Sequence, residues 1–251
     1  MDCYNDFAFI YDKLITKDIN YKDWSKYIIS ICKNRNIEYN EYLDLACGTG
    51  NMTCEIEKYF NQTYAVDLSS DMLTLAKNKL SNKTKLICQD ISDINLNKKF
   101  NLITCCLDSM NYLTEKTDLE KFFCNVNMHL EQEGIFIFDV NSYYKLSYIL
   151  GNNIYNYDNE DVYYIWENNF EDDLLNMYLT FFIKDEDKYI RFDEEHLERA
   201  YTEEYLDELI DSSGFEILEK HDGYSENIIS EKTERIVYVL KLKNKKEIKN
   251  G

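Results

Sequence analysis

The chain has 251 residues, 45% of them hydrophobic and 15% aromatic, with a formal net charge of −19 at pH 7. So much apolar material suits one packed α/β core carrying an insertion and excludes an intrinsically disordered chain. The acids concentrate over residues 158–208, and such a field repels phosphate backbones, which speaks against a nucleic-acid partner.

Residues 1–40 read as helices, because Phe7, Ile10, Tyr11 and Leu14 recur at helical spacing and Trp24, Tyr27, Ile28 and Ile31 form a second apolar stripe. From 42 to about 142, apolar runs at 42–46, 63–66, 85–88, 101–106 and 135–139 alternate with helical segments at 52–60, 70–80 and 118–131. That rhythm predicts repeated β-α-β units and a parallel sheet wound by right-handed crossovers. From about 161 the rhythm changes. Strand-like runs at 162–170, 174–184 and 189–201, separated by acidic turns, predict an antiparallel meander. A helix over 202–212, stopped by Gly214, and strands at 215–221 and 234–242 then return to the sheet. Eight cysteines lie between Cys3 and Cys124 without a CxxC pair or zinc-like Cys/His spacing, so reduced thiols and no metal site are expected. No leader pattern and no apolar run of about twenty residues is present, so neither a signal peptide nor a membrane span is expected, and a cytoplasmic setting is.

The densest chemistry lies in Tyr42-Leu43-Asp44-Leu45-Ala46-Cys47-Gly48-Thr49-Gly50 followed by Tyr64-Ala65-Val66-Asp67. Gly48 and Gly50 allow a sharp turn and close approach to a ligand, and Asp67 at a strand end can accept both hydroxyls of a ribose. A dinucleotide fingerprint wants a third small residue where Thr53 stands. Asp44 beside the loop repels a pyrophosphate and suits a ligand that carries an amine.

The segment Leu43-Asp44-Leu45-Ala46-Cys47-Gly48-Thr49-Gly50, with Ala65-Val66-Asp67-Leu68-Ser69 and Met72, resembles the class I S-adenosylmethionine-dependent methyltransferases. The resemblance continues through Cys88-Gln89-Asp90-Ile91, Phe100-Asn101-Leu102-Ile103-Thr104-Cys105 and Gly134-Ile135-Phe136-Ile137-Phe138-Asp139, and Tyr11-Asp12 adds a further match. It implies an α/β fold: a Rossmann-like, doubly wound, mostly parallel sheet with a C-terminal antiparallel hairpin and an inserted antiparallel β meander. The corresponding domains are a helical cap over 1–40, a cofactor-binding methyltransferase domain over 41–160 and 201–251, and a β-rich acceptor-side subdomain over 161–200.

The resemblance also implies S-adenosylmethionine as cofactor and S-adenosylhomocysteine as product. It gives Asp67 the ribose, Met72 one adenine face, Asp90 the adenine amine, and Ile91 the packing of the ring. Tyr11 lies beside the methionine part, and Asp44, Ala46, Gly48, Gly50, Leu68, Cys106 and Leu107 complete the expected cofactor set. Asp108, Tyr11 and His196 are the catalytic candidates; His196 falls in a His-x-x-Arg-x-Tyr strand like one that borders the acceptor pocket of small-molecule members. His129 and His221 read as structural. The chain has no proline, which removes the Asp/Asn-Pro-Pro-aromatic motif of DNA amino-methyltransferases and the Pro-Cys nucleophile of pyrimidine-carbon methyltransferases.

The expected reaction is direct in-line methyl transfer to a small-molecule acceptor, with no metal and no covalent intermediate. Local acidity and the lack of an evident base favour a nitrogen acceptor. The alternatives are O-methylation of a small acid or hydroxyl compound, for which Arg191 or Arg199 would anchor a carboxylate, and a non-catalytic regulatory protein that binds the same cofactor.

Overall fold

The computed structural model describes residues 19–159 and 161–244. The helix expected over 7–14, with Tyr11 and Asp12, lies outside them. The first described helix, α1 (Tyr21–Asn34), begins at Asn20, whose side chain accepts from the Asp23 amide, and it buries Ser25, Ile28, Ile31 and Cys32. Those apolar side chains pack with Tyr42, Met52, Ile56 and Val237 on one face of the sheet.

The strands and helices that follow are β1 (Glu41–Leu45), α2 (Asn51–Ile56), β2 (Gln62–Asp67), α3 (Ser70–Lys79), β3 (Thr84–Cys88), β4 (Phe100–Cys105), α4 (Lys116–His129) and β5 (Leu130–Asn141). After an inserted sheet come α5 (Glu203–Ser212), β10 (Phe215–Asp222) and β11 (Arg235–Leu242). The main sheet has seven strands in the order β10-β11-β5-β4-β1-β2-β3. Strands β1 to β5 pair in parallel, while β11 runs antiparallel to both β5 and β10. This is the doubly wound sheet with a closing antiparallel hairpin that the sequence predicts.

Helix α4 stops at His129, two residues short of the expected end, because Leu130 is already paired with Phe100 in the sheet. The other face of the sheet is filled by aromatic rings: Phe122, Phe123, Phe136, Phe138, Phe215 and Tyr238 are all fully buried. Phe138 and Tyr238 are direct cross-strand partners, and their rings stack at 4.9 Å.

The insertion is a four-stranded antiparallel sheet, β6 (Ile154–Asp158), β7 (Val162–Glu171), β8 (Leu174–Asp185) and β9 (Lys188–Arg199). It therefore starts at Ile154 rather than near 161, and it has one strand more than the meander expected from sequence. The β6 run Ile154-Tyr155-Asn156-Tyr157-Asp158 alternates exposed and half-buried side chains, as an edge strand does, so it carries no buried apolar run to mark it. At the other edge, β9 is tied to the main domain. Asn111 donates its side-chain amide to Arg199 O at 3.0 Å, Arg199 Nε donates to Thr114 O at 2.5 Å, and Tyr201 Oη donates to Leu113 O.

Candidate active site

Strand β1 lies between β2 and β4, so the crossovers on its two sides diverge and leave a crevice at the carboxyl ends of the strands. A cavity of about 580 Å³ opens there, within the usual size of a small-ligand site. Of the expected site residues, Asp44, Ala46, Gly48, Asp67, Leu68, Met72, Asp90, Ile91, Cys106, Leu107, Asp108 and His196 all line it. Tyr11 lies outside the described residues.

Gly50 corrects the expectation at one position. It does not line the cavity. It caps α2 in a left-handed conformation, φ +78°, and a Cβ there would come within 3.1 Å of Leu80 and 3.2 Å of Ala76 on the far side of the loop. Gly48, by contrast, has φ +54° and nothing within 4 Å of the place a Cβ would take. It is the point where the backbone meets the cavity, and a ligand can approach it closely.

Asp44 is 2% exposed and accepts from two hydroxyls, Thr53 Oγ1 at 2.5 Å and Thr104 Oγ1 at 2.7 Å. Burial pushes its carboxyl up to about 6, against the lowering effect of the Thr53, Thr104 and Tyr42 hydroxyls, and the nearby Asp67 adds to the rise. Asp67 braces the glycine loop: Oδ2 accepts from Gly48 N at 2.7 Å and Oδ1 from Ser69 N at 2.8 Å. Burial raises its pKa as well, opposed by those backbone donors. The cap of α3 is Ser69, whose hydroxyl accepts from Met72 N, so the Asp67 carboxylate is not spent on the helix. Asp90 caps the short turn Ile91–Asp93 through Ser92 and lines the cavity beside Ile91.

Four aspartates thus face this cavity, and among the described residues no lysine or arginine lines it. Such a wall suits a cationic ligand and repels a pyrophosphate. An S-adenosylmethionine molecule, with its sulfonium and ammonium, has the complementary charge. Among the described residues no group of three or more His, Cys, Asp or Glu is placed to hold a metal ion.

The β4 exit loop forms the other end. Leu107 and Asp108 both adopt left-handed backbone, φ +60° and +49°, at a cost of about 1 kcal/mol or more each. Asp139, fully buried on β5, holds them there by accepting from Leu107 N and Asp108 N, each at 2.8 Å. Tyr224 Oη donates to the same carboxylate at 2.5 Å, and Arg235 of β11 donates to it from the other side. Arg235 also reaches Asp108 Oδ1 at 2.6 Å and lies over the Trp24 ring, which stacks on Tyr224 at 4.0 Å. Asp139, Tyr224 and Arg235 were given no role from the sequence.

Burial alone would raise the Asp108 pKa, but Arg235 and Lys145 outweigh it and hold the carboxyl below its ordinary range. An ionised carboxylate locked to a guanidinium is a weak base, so among the catalytic candidates Asp108 is poorly suited to take a proton. His196 is better placed. Its Nδ1 lies 3.3 Å from Tyr112 Oη, and burial lowers its pKa, so the imidazole is neutral near pH 7. His129 is structural: Nδ1 donates to Asn125 O at 2.7 Å, and Nε2 accepts from Leu96 N at 2.9 Å. His221 pairs with Glu219 and Ser225 away from the cavity. The sequence also left Tyr21, Asn51 and Leu113 unassigned, although all three line the cavity.

Residues 43–134 match the methyltransferase domain family. The chain is 32% identical over 241 residues to YqeM of Bacillus subtilis, a protein to which methyltransferase activity is ascribed, covering 94% of this chain and 95% of that one. The chain is a class I S-adenosylmethionine-dependent methyltransferase. A crystal structure of a methyltransferase dependent on this cofactor, from Clostridium acetobutylicum, is 53% identical, with a TM-score of 0.91, covering 97% of this chain and 100% of the other. A more distant similarity, 31% over 133 residues, is to a dTDP-3-amino-3,4,6-trideoxy-glucopyranose N,N-dimethyltransferase of Streptomyces venezuelae, covering 53% of this chain and 56% of that one. Its cofactor is therefore S-adenosylmethionine.

Proposed function

We propose that this methyltransferase moves the methyl group to the nitrogen of a small amine-bearing metabolite. The observation that carries the proposal is the cavity wall: four aspartates, no described lysine or arginine, and a neutral imidazole. The N,N-dimethyltransferase relative, which acts on an amino sugar, supports the same class of acceptor.

S-adenosylmethionine supplies an electrophilic methyl on sulfur. In this proposal Asp67 takes the ribose hydroxyls with the lone pairs that Gly48 N and Ser69 N leave open, and Asp44 faces the ammonium. Met72, Leu68, Asp90 and Ile91 receive the adenine, while Gly48, Ala46, Cys106 and Leu107 shape the wall along the methionine part. Tyr11 is kept as a contact to that part. When bound, the cofactor would supply its methyl by in-line displacement to an amine lone pair, and the neutral His196 imidazole would take the proton that a protonated amine must first lose. Asp108, its charge offset by Arg235, then serves as a fixed polar wall at this end.

The second sheet belongs to the acceptor side in this account, because β9 carries His196 to the cavity. The 161–200 subdomain is accordingly extended to begin with β6. Buried free thiols at Cys32, Cys105 and Cys106 support a reducing, cytoplasmic setting. Among the described residues no helix is long and apolar enough to cross a membrane.

O-methylation of a carboxylate is less well supported. Arg191 is exposed and paired with Asp193, and Arg199 is spent on Thr114 O; neither lines the cavity. A panel of small amines and hydroxy acids, scored by release of S-adenosylhomocysteine, tests the assignment. Turnover confined to amines, lost by about 100-fold in His196→Ala, is expected. Turnover confined to acids or alcohols would overturn it.

A further inference from the structure

Tyr224 lies just past the end of β10, in the loop 223–234 that returns the chain to β11. Gly223 before it is left-handed, φ +62°, and donates its amide to Arg235 O at 2.8 Å, so Tyr224 and Arg235 both start from the base of the hairpin. Helix α1 fixes the Tyr224 ring. Trp24 stacks on it at 4.0 Å and Tyr27 meets it edge-on at 5.8 Å; the two are three positions apart and so share one face of the helix. With the ring held, the hydroxyl reaches Asp139 Oδ2 at 2.5 Å.

The Asp139 carboxylate ties the hairpin to the β4 exit loop through both of its oxygens. Oδ1 accepts from Asp108 N and from Arg235, whose guanidinium also reaches Asp108 Oδ1, so the Asp108 half of the loop is tied twice. Oδ2 accepts from Leu107 N at 2.8 Å and from Tyr224 Oη. Leu107 has an apolar side chain and meets the carboxylate through its amide alone, so the direction of Oδ2 sets where Leu107 sits. The guanidinium draws the carboxylate toward Oδ1, and the Tyr224 hydroxyl is the side-chain donor that holds Oδ2 against that pull. Desolvation and the Asp139 charge push this phenol well above its ordinary range, so it remains a donor at neutral pH.

We propose that Tyr224 is a positioning residue for methyl transfer: its hydroxyl sets Asp139 Oδ2, and through it Leu107, at the wall along which the methionine part of the cofactor lies. The proposal rests on the placement of that part along Cys106 and Leu107 given above. Cys106 and Leu107 line the cavity and Tyr224 does not, so Tyr224 acts through the loop rather than on the ligand. A shift of about 1 Å at the reacting atoms is enough to cost on the order of 100-fold in rate.

The test compares wild type with Tyr224→Phe, which keeps the ring and its stack on Trp24 and removes the hydroxyl alone. The melting temperature should stay within about 4 °C of wild type, and the affinity for S-adenosylmethionine within about 3-fold. Amide hydrogen exchange at Leu107 should quicken by roughly 10-fold, with Asp108, backed by Arg235, changed less and Gly48 and Ser69 unchanged. With an amine acceptor from the panel above, kcat should fall about 10-fold or more while KM stays within about 3-fold. Exchange at Leu107 as slow as in wild type, or kcat within about 2-fold of wild type, would overturn the proposal. A titration with S-adenosylmethionine that left the Cys106 and Leu107 amide resonances unmoved would instead overturn the cofactor placement beneath it. If no amine were turned over, the acceptor assignment would fall, and the exchange comparison would still decide whether the Tyr224 hydroxyl sets the loop.

Discussion

A carboxylate enclosed as fully as Asp44 resists ionisation, and its three hydroxyl neighbours recover only part of the lost hydration. Its pKa near 6 in the fold lies above the ordinary 3.8, so its contribution to folding is complete below about pH 4 and is lost as pH rises through about 6. The difference amounts to about 3 kcal/mol at neutral pH. Asp44→Asn should therefore raise the melting temperature of the ligand-free protein at pH 7, a gain that vanishes near pH 4. Binding has the opposite sign, because a cationic ligand needs the ionised form. Wild-type affinity for S-adenosylmethionine is expected to fall as pH drops below about 6, and calorimetry should show a weaker, nearly pH-independent affinity in Asp44→Asn. The two loop glycines should separate in the same way. Gly48→Ala is expected to fold at a cost of about 1 kcal/mol yet to lose cofactor binding, because its Cβ projects into the cavity. Gly50→Ala presses on Leu80 and Ala76 and should cost about 1–3 kcal/mol in urea denaturation.

The β4 exit loop is held by residues distant in sequence. Arg235 lies 96 positions from Asp139 and 127 from Asp108, and Tyr224 lies 85 from Asp139. Asp139→Ala would leave two left-handed amides without their acceptor and the buried Arg235 guanidinium with Asp108 alone. A loss of about 3–5 kcal/mol is expected, measurable by urea denaturation; a loss below 1 kcal/mol would show that the loop does not depend on this carboxylate. The same distances explain what the sequence made legible. The strand, glycine loop and acid from Tyr42 to Asp67 are local in the chain, and each physical requirement falls on an adjacent residue, so the parallel sheet and a loop suited to an amine-bearing ligand could be read from them, while the resemblance named the cofactor. Gly50 was misplaced because a turn glycine facing a helix and one facing a ligand look alike until the partner atoms are known. Arg235 and Tyr224 carried no signal: one arginine at the start of an apolar strand and one of 22 tyrosines have no motif around them. Strand β6 escaped because an exposed edge need not be apolar.

At the scale of the molecule, the formal charge of −19 and the acidic cavity act together on what arrives. Long-range attraction of a protonated amine is screened by salt, with a Debye length of about 8 Å at physiological ionic strength. For an amine acceptor kcat/KM is expected to fall as ionic strength rises; a carboxylate acceptor would show the reverse. The cofactor carries positive charge as well and, in the proposed arrangement, enters the same crevice where β1 separates β2 from β4. The most direct test is calorimetric titration of the folded protein with S-adenosylmethionine, wild type against Asp67→Ala. One site per chain, weakened roughly 10-fold to 100-fold in the variant, is expected from loss of a charged acceptor for the ribose. Equal affinity in the two proteins would contradict the placement of the cofactor in this cavity.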